Sequence, residues 1–226
     1  VQVKICGITN LEDALAAVEY GADAVGFVFA RESPRFIPSD QVRKIVSALP
    51  PFVTTVGVFT AGDKKEIGDA VAECGIDLIQ FHGPFPSEVV HAFSGRAIQV
   101  VRVAAGKNEK SLEELARYKV GPEAVNYGVP NTVRAFLLDT FHPQLSGGSG
   151  LSFNWEIALQ AKKYGRIILA GGLTPENVEE AVSRVAPYGV DVSSGVEMRK
   201  GKKDFTKLKR FIEAAKRGGG LHASSR

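Results

Sequence analysis

A chain of 226 residues suits one large domain or two small ones. Hydrophobic residues make up 44% of it and charged residues 23%, which excludes a disordered chain, and the longest apolar stretches, "AVGFVFA" and "RIILAGG", are far too short to span a membrane. The net charge of +3 is unevenly placed: Arg199 to Arg217 holds nine Lys/Arg against Asp204 and Glu213, while the remainder holds 19 basic and 23 acidic residues. That basic run reads either as a solvated helix face or as an attractor for an anionic ligand. It contains no recognisable nucleic-acid module, so nucleic acid is not an expected partner. The first residues lack the regions of a signal peptide, and a cytoplasmic protein without membrane contact is expected. Two cysteines, Cys6 and Cys74, are too few for a disulfide scaffold.

Taken in chain order, strand-like and helix-like stretches alternate. The strands are "VQVKIC", "DAVGFVF", "VTTVGVF", "DLIQF", "AIQVVRV", "RAFLLD", "RIILA" and "GVDVS". Most are apolar nearly throughout, as parallel strands covered on both faces must be. Between the first two, Thr9-Asn10-Leu11-Glu12 has the pattern of a capping box, and "LEDALAAVEYGAD" sets Leu11, Leu15 and Val18 on one stripe, with Gly21 placed to stop the helix. After the second strand, "SDQVRKIVSALP" aligns Val42, Ile45, Val46 and Leu49. Cys74 precedes Gly75 at a helix end, a buried structural position. "SLEELARY" is followed by a long irregular piece before the sixth strand, and Thr174-Pro175 marks the start of a late helix. Eight units of roughly 28 residues fit an α/β fold of the (β/α)8 barrel type, a single domain over residues 1–217 with a flexible tail at 218–226. A doubly wound open sheet would need an edge, and no strand is conspicuously charged or broken by proline.

In such a barrel the chemistry sits at the C-terminal ends of the strands. Cys6 ends the first. Burial as a small hydrophobe and catalysis both remain open for it, the second because a capped helix begins three residues later and its N-terminus favours a thiolate. Asp139 ends the sixth strand, after three apolar residues, where its carboxyl group either caps a turn or faces the mouth. Asp191 lies within the eighth, where a lone carboxylate needs a partner or a function. "AGGLTPEN" follows the seventh strand and "SSGVE" the eighth. Gly171 and Gly172 allow the backbone to approach a ligand closely, and Ser193, Ser194 and Gly195 open the next loop, so the two together suggest a phosphate site. The loop "SGGSG", Ser146 to Gly150, is either a flexible cover or a linker. Arg35, after the second strand, is either a surface ion-pair partner or a carboxylate clamp. Gln80 and His82 flank Phe81 at the end of the fourth. The four histidines show no ligand-like spacing, so no metal is expected.

Strand 1 of a barrel neighbours strand 8, so strands 6-7-8-1-2 form one arc. Along it lie Asp139, the two glycine-bearing loops, Cys6 and Arg35. The expected partner is a small molecule with a phosphate at one end, a carboxylate at the other and a proton-transfer centre between.

The motifs "KICGIT", "GADAVGFVF", "SPRFI", "VGVF", "IQFHG", "LLDT", "GGSG", "GGLTPENV" and "VDVSSGVE…GKKD" together resemble the phosphoribosylanthranilate isomerases of tryptophan biosynthesis, from the first residue to about Ala215. The resemblance implies a cofactor-independent Amadori rearrangement of N-(5-phosphoribosyl)anthranilate to 1-(2-carboxyphenylamino)-1-deoxyribulose 5-phosphate. It makes Asp139 the general acid that opens the ribose ring and Cys6 the general base that takes the C2′ proton. It makes Arg35 the contact to the anthranilate carboxylate, and the amides around Gly172, Ser193 and Ser194 the phosphate cradle. Asp191, Gln80 and His82 match positions near the pocket. Such chemistry asks for a raised pKa at Asp139, which burial supplies, and an ionised Cys6, for which the helix N-terminus is the expected cause. Two departures stand out: a stretch from Lys119 to Val133 longer than the family pattern, and the unmatched "LHASSR" end. Either a monomer or a homodimer is compatible.

Rival barrels fit less well. The aminoimidazole carboxamide ribotide isomerases of histidine biosynthesis are associated with an aspartate at the position of Cys6. Indole-glycerol phosphate synthases rely on lysines, whereas here the second strand ends in Phe29 and the sixth in Asp139. A phosphate-binding scaffold without turnover is the alternative from another class.

Overall fold

The computed structural model describes residues 1–103, 108–117, 133–139 and 155–220. Eight strands, β1 (Gln2–Ile5), β2 (Ala24–Val28), β3 (Thr54–Phe59), β4 (Leu78–Phe81), β5 (Ala97–Arg102), β6 (Ala135–Asp139), β7 (Ile167–Ala170) and β8 (Gly189–Val192), pair in chain order. Every pairing is parallel, and β8 returns to β1, with Lys4 opposite Ala24 on one side and Asp191 on the other. The closed barrel expected from the alternation is therefore the observed fold.

The helices outside it are α1 (Leu11–Glu19), α2 (Ser39–Ala48), α3 (Lys64–Cys74), α4 (Ser87–Ala92), α5 (Asn108–Arg117), α6 (Trp155–Ala161), α7 (Val178–Val185) and α8 (Phe205–Gly220). A short antiparallel hairpin, β9 (Glu197–Arg199) and β10 (Lys202–Lys203), stands between β8 and α8. No helix among the described residues is long and apolar enough to cross a membrane.

Strand alternation sorts the core into two layers. Val56, Ile98, Val100, Ala135, Leu137, Ile168 and Ala170 fill the barrel. Residues of the opposite parity, such as Val3, Ile5, Phe27, Phe81, Phe136, Leu169 and Val190, pack outward against the helices. Burying both faces is what makes these strands read as unbroken apolar runs.

Three local expectations change. The cap of α1 is Asn10, not Thr9: the Asn10 side chain accepts from Asp13 N, while Thr9 Oγ1 donates to the Gly201 carbonyl. The buried face of α1 is not the Leu11–Leu15 stripe, since both leucines are 41% exposed, but Asp13, Ala14, Ala16 and Ala17. Asp13 turns that face inward because its carboxylate receives Lys203 N at 2.9 Å and Lys202 Nζ at 2.7 Å from the hairpin. Finally, the terminal helix continues past Arg217 to Gly220. Gly218 does not break it: a Cβ there would meet Glu179 O at 2.8 Å and Val182, so the missing side chain lets α8 press against α7. Residues 119–132, the loop 146–150 and the last six residues lie outside the described residues.

Candidate active site

Cys6, Arg35, Gln80, His82, Asp139, Gly171, Gly172, Asp191, Ser193, Ser194 and Gly195 all line one cavity of about 480 Å³ at the C-terminal end of the barrel. Parity explains the gathering. Residues at or just past the strand ends with inward parity (Cys6, Gln80, His82, Asp139, Asp191, Ser193) project over the top layer of the apolar filling.

The acidic side of the cavity is formed by β4 and β6. His82 Nε2 lies 3.8 Å from Asp139 Oδ2, both side chains about a quarter exposed. Burial pushes the Asp139 carboxyl above its ordinary value, against the pull of His82 and with repulsion from Asp191 adding to the rise. Burial also holds the His82 imidazole below its usual value, despite Asp139. At neutral pH the imidazole is uncharged, and the carboxyl is held closer to its protonated form than a free aspartate.

On the opposite side Cys6 is buried, 7% exposed. Its expected activation by a helix N-terminus is not what the structure provides. Helix α1 begins only at Leu11, and Asn10 already accepts from one of its first-turn amides, that of Asp13. Burial pushes the Cys6 thiol up; the charge of Lys4 opposes this, Asp191 adds to it, and Lys203 opposes it more weakly. The countercharge beside the sulfur is a lysine side chain rather than a helix dipole.

Between these two walls run the loops after β7 and β8. Gly171 and Gly172 take left-handed conformations, φ 80° and 69°, which present the backbone without a side chain. Asn177 Nδ2 fixes the turn by donating to Gly172 O at 2.9 Å. After β8 the chain enters a 3-10 turn, Ser194–Val196. At Gly195 a Cβ would overlap the Leu173 carbonyl oxygen, so only glycine lets the two loops meet. The Ser193 hydroxyl is buried and has no hydrogen-bond partner among the described residues, leaving a donor for a ligand.

Arg35 reaches the same cavity but is already engaged. Its Nε and Nη2 donate to Glu197 Oε1 and Oε2, each at 2.7 Å. The guanidinium carries five N–H groups, so the Nη1 donors remain for a ligand carboxylate. Glu197 also receives Lys203 Nζ at 3.2 Å, and Lys203 in turn donates to the carbonyls of Cys6, at 2.7 Å, and Ser193, at 3.2 Å. One buried network thus joins Arg35, the hairpin and the ends of β1 and β8.

Sequence reasoning did not single out Lys4, Arg102, Glu197 or Lys203. Lys4 had a usable signal, a charge two residues before Cys6 in an apolar strand and so on the same face. Arg102, opposite Asp139 in the β5–β6 register, had the same one. Glu197 and Lys203 had none: one sat in a loop, the other in a basic run.

The family described as N-(5'phosphoribosyl)anthranilate (PRA) isomerase matches residues 3–214. An N-(5'-phosphoribosyl)anthranilate isomerase of Geobacter metallireducens is 49% identical over 216 residues, covering 96% of this chain and 99% of the relative. The crystal structure of phosphoribosyl anthranilate isomerase from Thermotoga maritima aligns with a TM-score of 0.79 at 44% identity, covering 96% of this chain and 98% of that one. A further isomerase structure, in complex with reduced 1-(o-carboxyphenylamino)-1-deoxyribulose 5-phosphate, aligns at 0.77 and 42% identity, covering 96% and 98%. By fold, by sequence and over nearly its whole described length, the chain belongs to the phosphoribosylanthranilate isomerase family.

Proposed function

We propose that Asp139 is the general acid and Cys6 the general base of this family's reaction, the Amadori rearrangement of N-(5-phosphoribosyl)anthranilate in tryptophan biosynthesis. Asp139 gives its proton to the ribose ring oxygen. The ring C–O bond breaks and a Schiff base forms between C1′ and the anthranilate nitrogen. The Cys6 thiolate then takes the proton from C2′, and the electron pair released makes the enolamine, which tautomerises to the 1-(2-carboxyphenylamino)-1-deoxyribulose 5-phosphate. One proton is given and one taken, leaving a carboxylate and a thiol; solvent exchange restores the starting state.

The other residues hold the ends of the ligand. The backbone amides around Gly171, Gly172, Ser194 and Gly195, with the Ser193 hydroxyl, take the phosphate. Arg35 takes the anthranilate carboxylate through its unengaged donors. Asp191 and Gln80 face the sugar, and His82 keeps the Asp139 carboxyl oriented. The single observation that carries this reading is that one cavity holds a buried thiol and a carboxyl of raised pKa on opposite walls, with the glycine loops between them.

The test is direct, because the anthranilate group makes the substrate fluorescent and isomerisation quenches it. Cys6→Ser and Asp139→Asn are each expected to bind the reduced product analogue within a few-fold of the parent while losing about 10²–10⁴ in kcat. Full turnover in either variant removes that residue from its role.

A further inference from the structure

We infer that Lys4 is a positioning residue for the isomerisation: its ammonium group, locked in the barrel by Asp191, holds the Cys6 sulfur as the thiolate that accepts the substrate proton. The inference rests on the reading of Cys6 as the base and deepens it.

Lys4 and Cys6 are two residues apart on β1 and face inward together. Lys4 Nζ donates to Asp191 Oδ1 at 2.8 Å, the two side chains being 6% and 9% exposed. The neighbouring strand leaves them room. A Cβ on Gly26 would lie 3.0 Å from Cys6 Sγ and 3.1 Å from Lys4 Nζ, so thiol and ammonium occupy the space over one glycine. There the ammonium charge favours the ionised sulfur, against the burial that resists it.

Stability does not call for this pair. The cost of stripping water from two buried charges roughly cancels their attraction, and apolar side chains make up the packed filling of the barrel. A thiolate formed at Cys6 does call for a countercharge, because water cannot solvate it at that depth. The groups facing the sulfur are few. Lys203, from the hairpin, is committed to the Cys6 and Ser193 carbonyls and to Glu197, and Arg35 is committed to Glu197. Asp191 projects from β8, and Asp139, His82 and Arg102 stand on the walls formed by β4 to β6. Among the described residues, Lys4 is the cation whose charge acts most strongly on the sulfur. Burial pulls its own pKa down, but Asp191 and Cys6 more than offset this and keep it charged. Asp191 thereby does two opposing things: it repels the thiolate directly and secures the ammonium that stabilises it.

Those opposed effects give the test. In a Cys74→Ser background, where a hydroxyl can replace the thiol beside the Ser39 carbonyl, Cys6 is the sole cysteine. Its ionisation is read from the pH dependence of iodoacetamide alkylation, with the modified residue located by mass spectrometry. Lys4→Met is expected to raise the midpoint by about one pH unit or more, and each unit removes about tenfold of the thiolate at a given pH. Asp191→Asn is expected to lower it. Adding Lys4→Met to Asp191→Asn is expected to raise it again, in a protein with no orphaned buried charge and so the safer variant to fold. The alkaline limb of kcat/KM should move with each midpoint, and kcat should fall more than KM rises. If Lys4→Met leaves the midpoint unmoved in both backgrounds and alters only melting, Lys4 is packing and the inference is wrong. Active Cys6→Ser, by contrast, would remove the base reading whatever the titration gives.

Discussion

The tasks proposed for Cys6 and Asp139 are opposite, yet the two share one perturbation, since burial is the largest influence on each and moves both pKa values up. The proposed reacting pair, acid on Asp139 and thiolate on Cys6, differs from carboxylate and thiol by one proton moved across the cavity. Both forms share one proton between the two groups, a state that appears with the first ionisation of the pair and disappears with the second. A bell-shaped kcat/KM profile is therefore expected, with its acid limb above the ordinary aspartate value of about 4 and its alkaline limb above the ordinary thiol value of about 8.5. An acid limb at or below 4 in the parent enzyme would mean that burial does not govern Asp139. Both residues were legible as strand-end outliers in the sequence. Their electrostatics were not, because Lys4, though only two residues from Cys6, is locked beside it by Asp191, which reaches it only once β1 has paired with β8.

Among the elements, the β9–β10 hairpin does more than its five strand residues suggest. It carries Glu197, which orients Arg35, and Lys203, which ties the carbonyl of Cys6 to that of Ser193. Removing the carboxylate in Glu197→Ala leaves a buried ammonium and a loosened guanidinium. The expected result is a loss of about 3–5 kcal/mol in urea denaturation, with KM raised more than kcat is lowered. The pair also titrates. Burial raises the Glu197 carboxyl, but bonds and charge from Arg35 and Lys203 outweigh it and leave the pKa below the ordinary value. Its stabilisation is thus complete above the unfolded value and is lost as pH falls through the lower, folded one. None of this was readable locally. Arg35 and Glu197 are 162 positions apart, and the basic run that holds Lys203 looked like a solvated face. Part of it is one: Arg210, Lys216 and Arg217 meet Glu176, Asp23 and Glu179 at the surface. The reversed face of α1 has the same origin, since the hairpin's claim on Asp13 outweighs the burial of two leucines.

At the scale of the molecule the sequence was most informative. Eight apolar runs with helices between them leave few ways to cover both faces of every strand, and closing the sheet removes its edges. The seam is the β8–β1 pairing, where a Cβ on Gly189 would lie 3.1 Å from the Gln2 carbonyl oxygen. Gly189→Val is expected to push these strands apart at a cost of about 1–3 kcal/mol, seen as a lower urea midpoint with an unchanged KM for the molecules that remain folded. A KM shift equal to that of Glu197→Ala would show instead that the strain reaches the ligand. That seam has one more consequence. The thiol belongs to the first strand of the circle, the carboxyl to the sixth, and the proposed phosphate grip to the two after it. No contiguous half of the chain holds all three, so neither half alone carries the full set. Each catalytic cycle is in effect a report that the whole circle has joined.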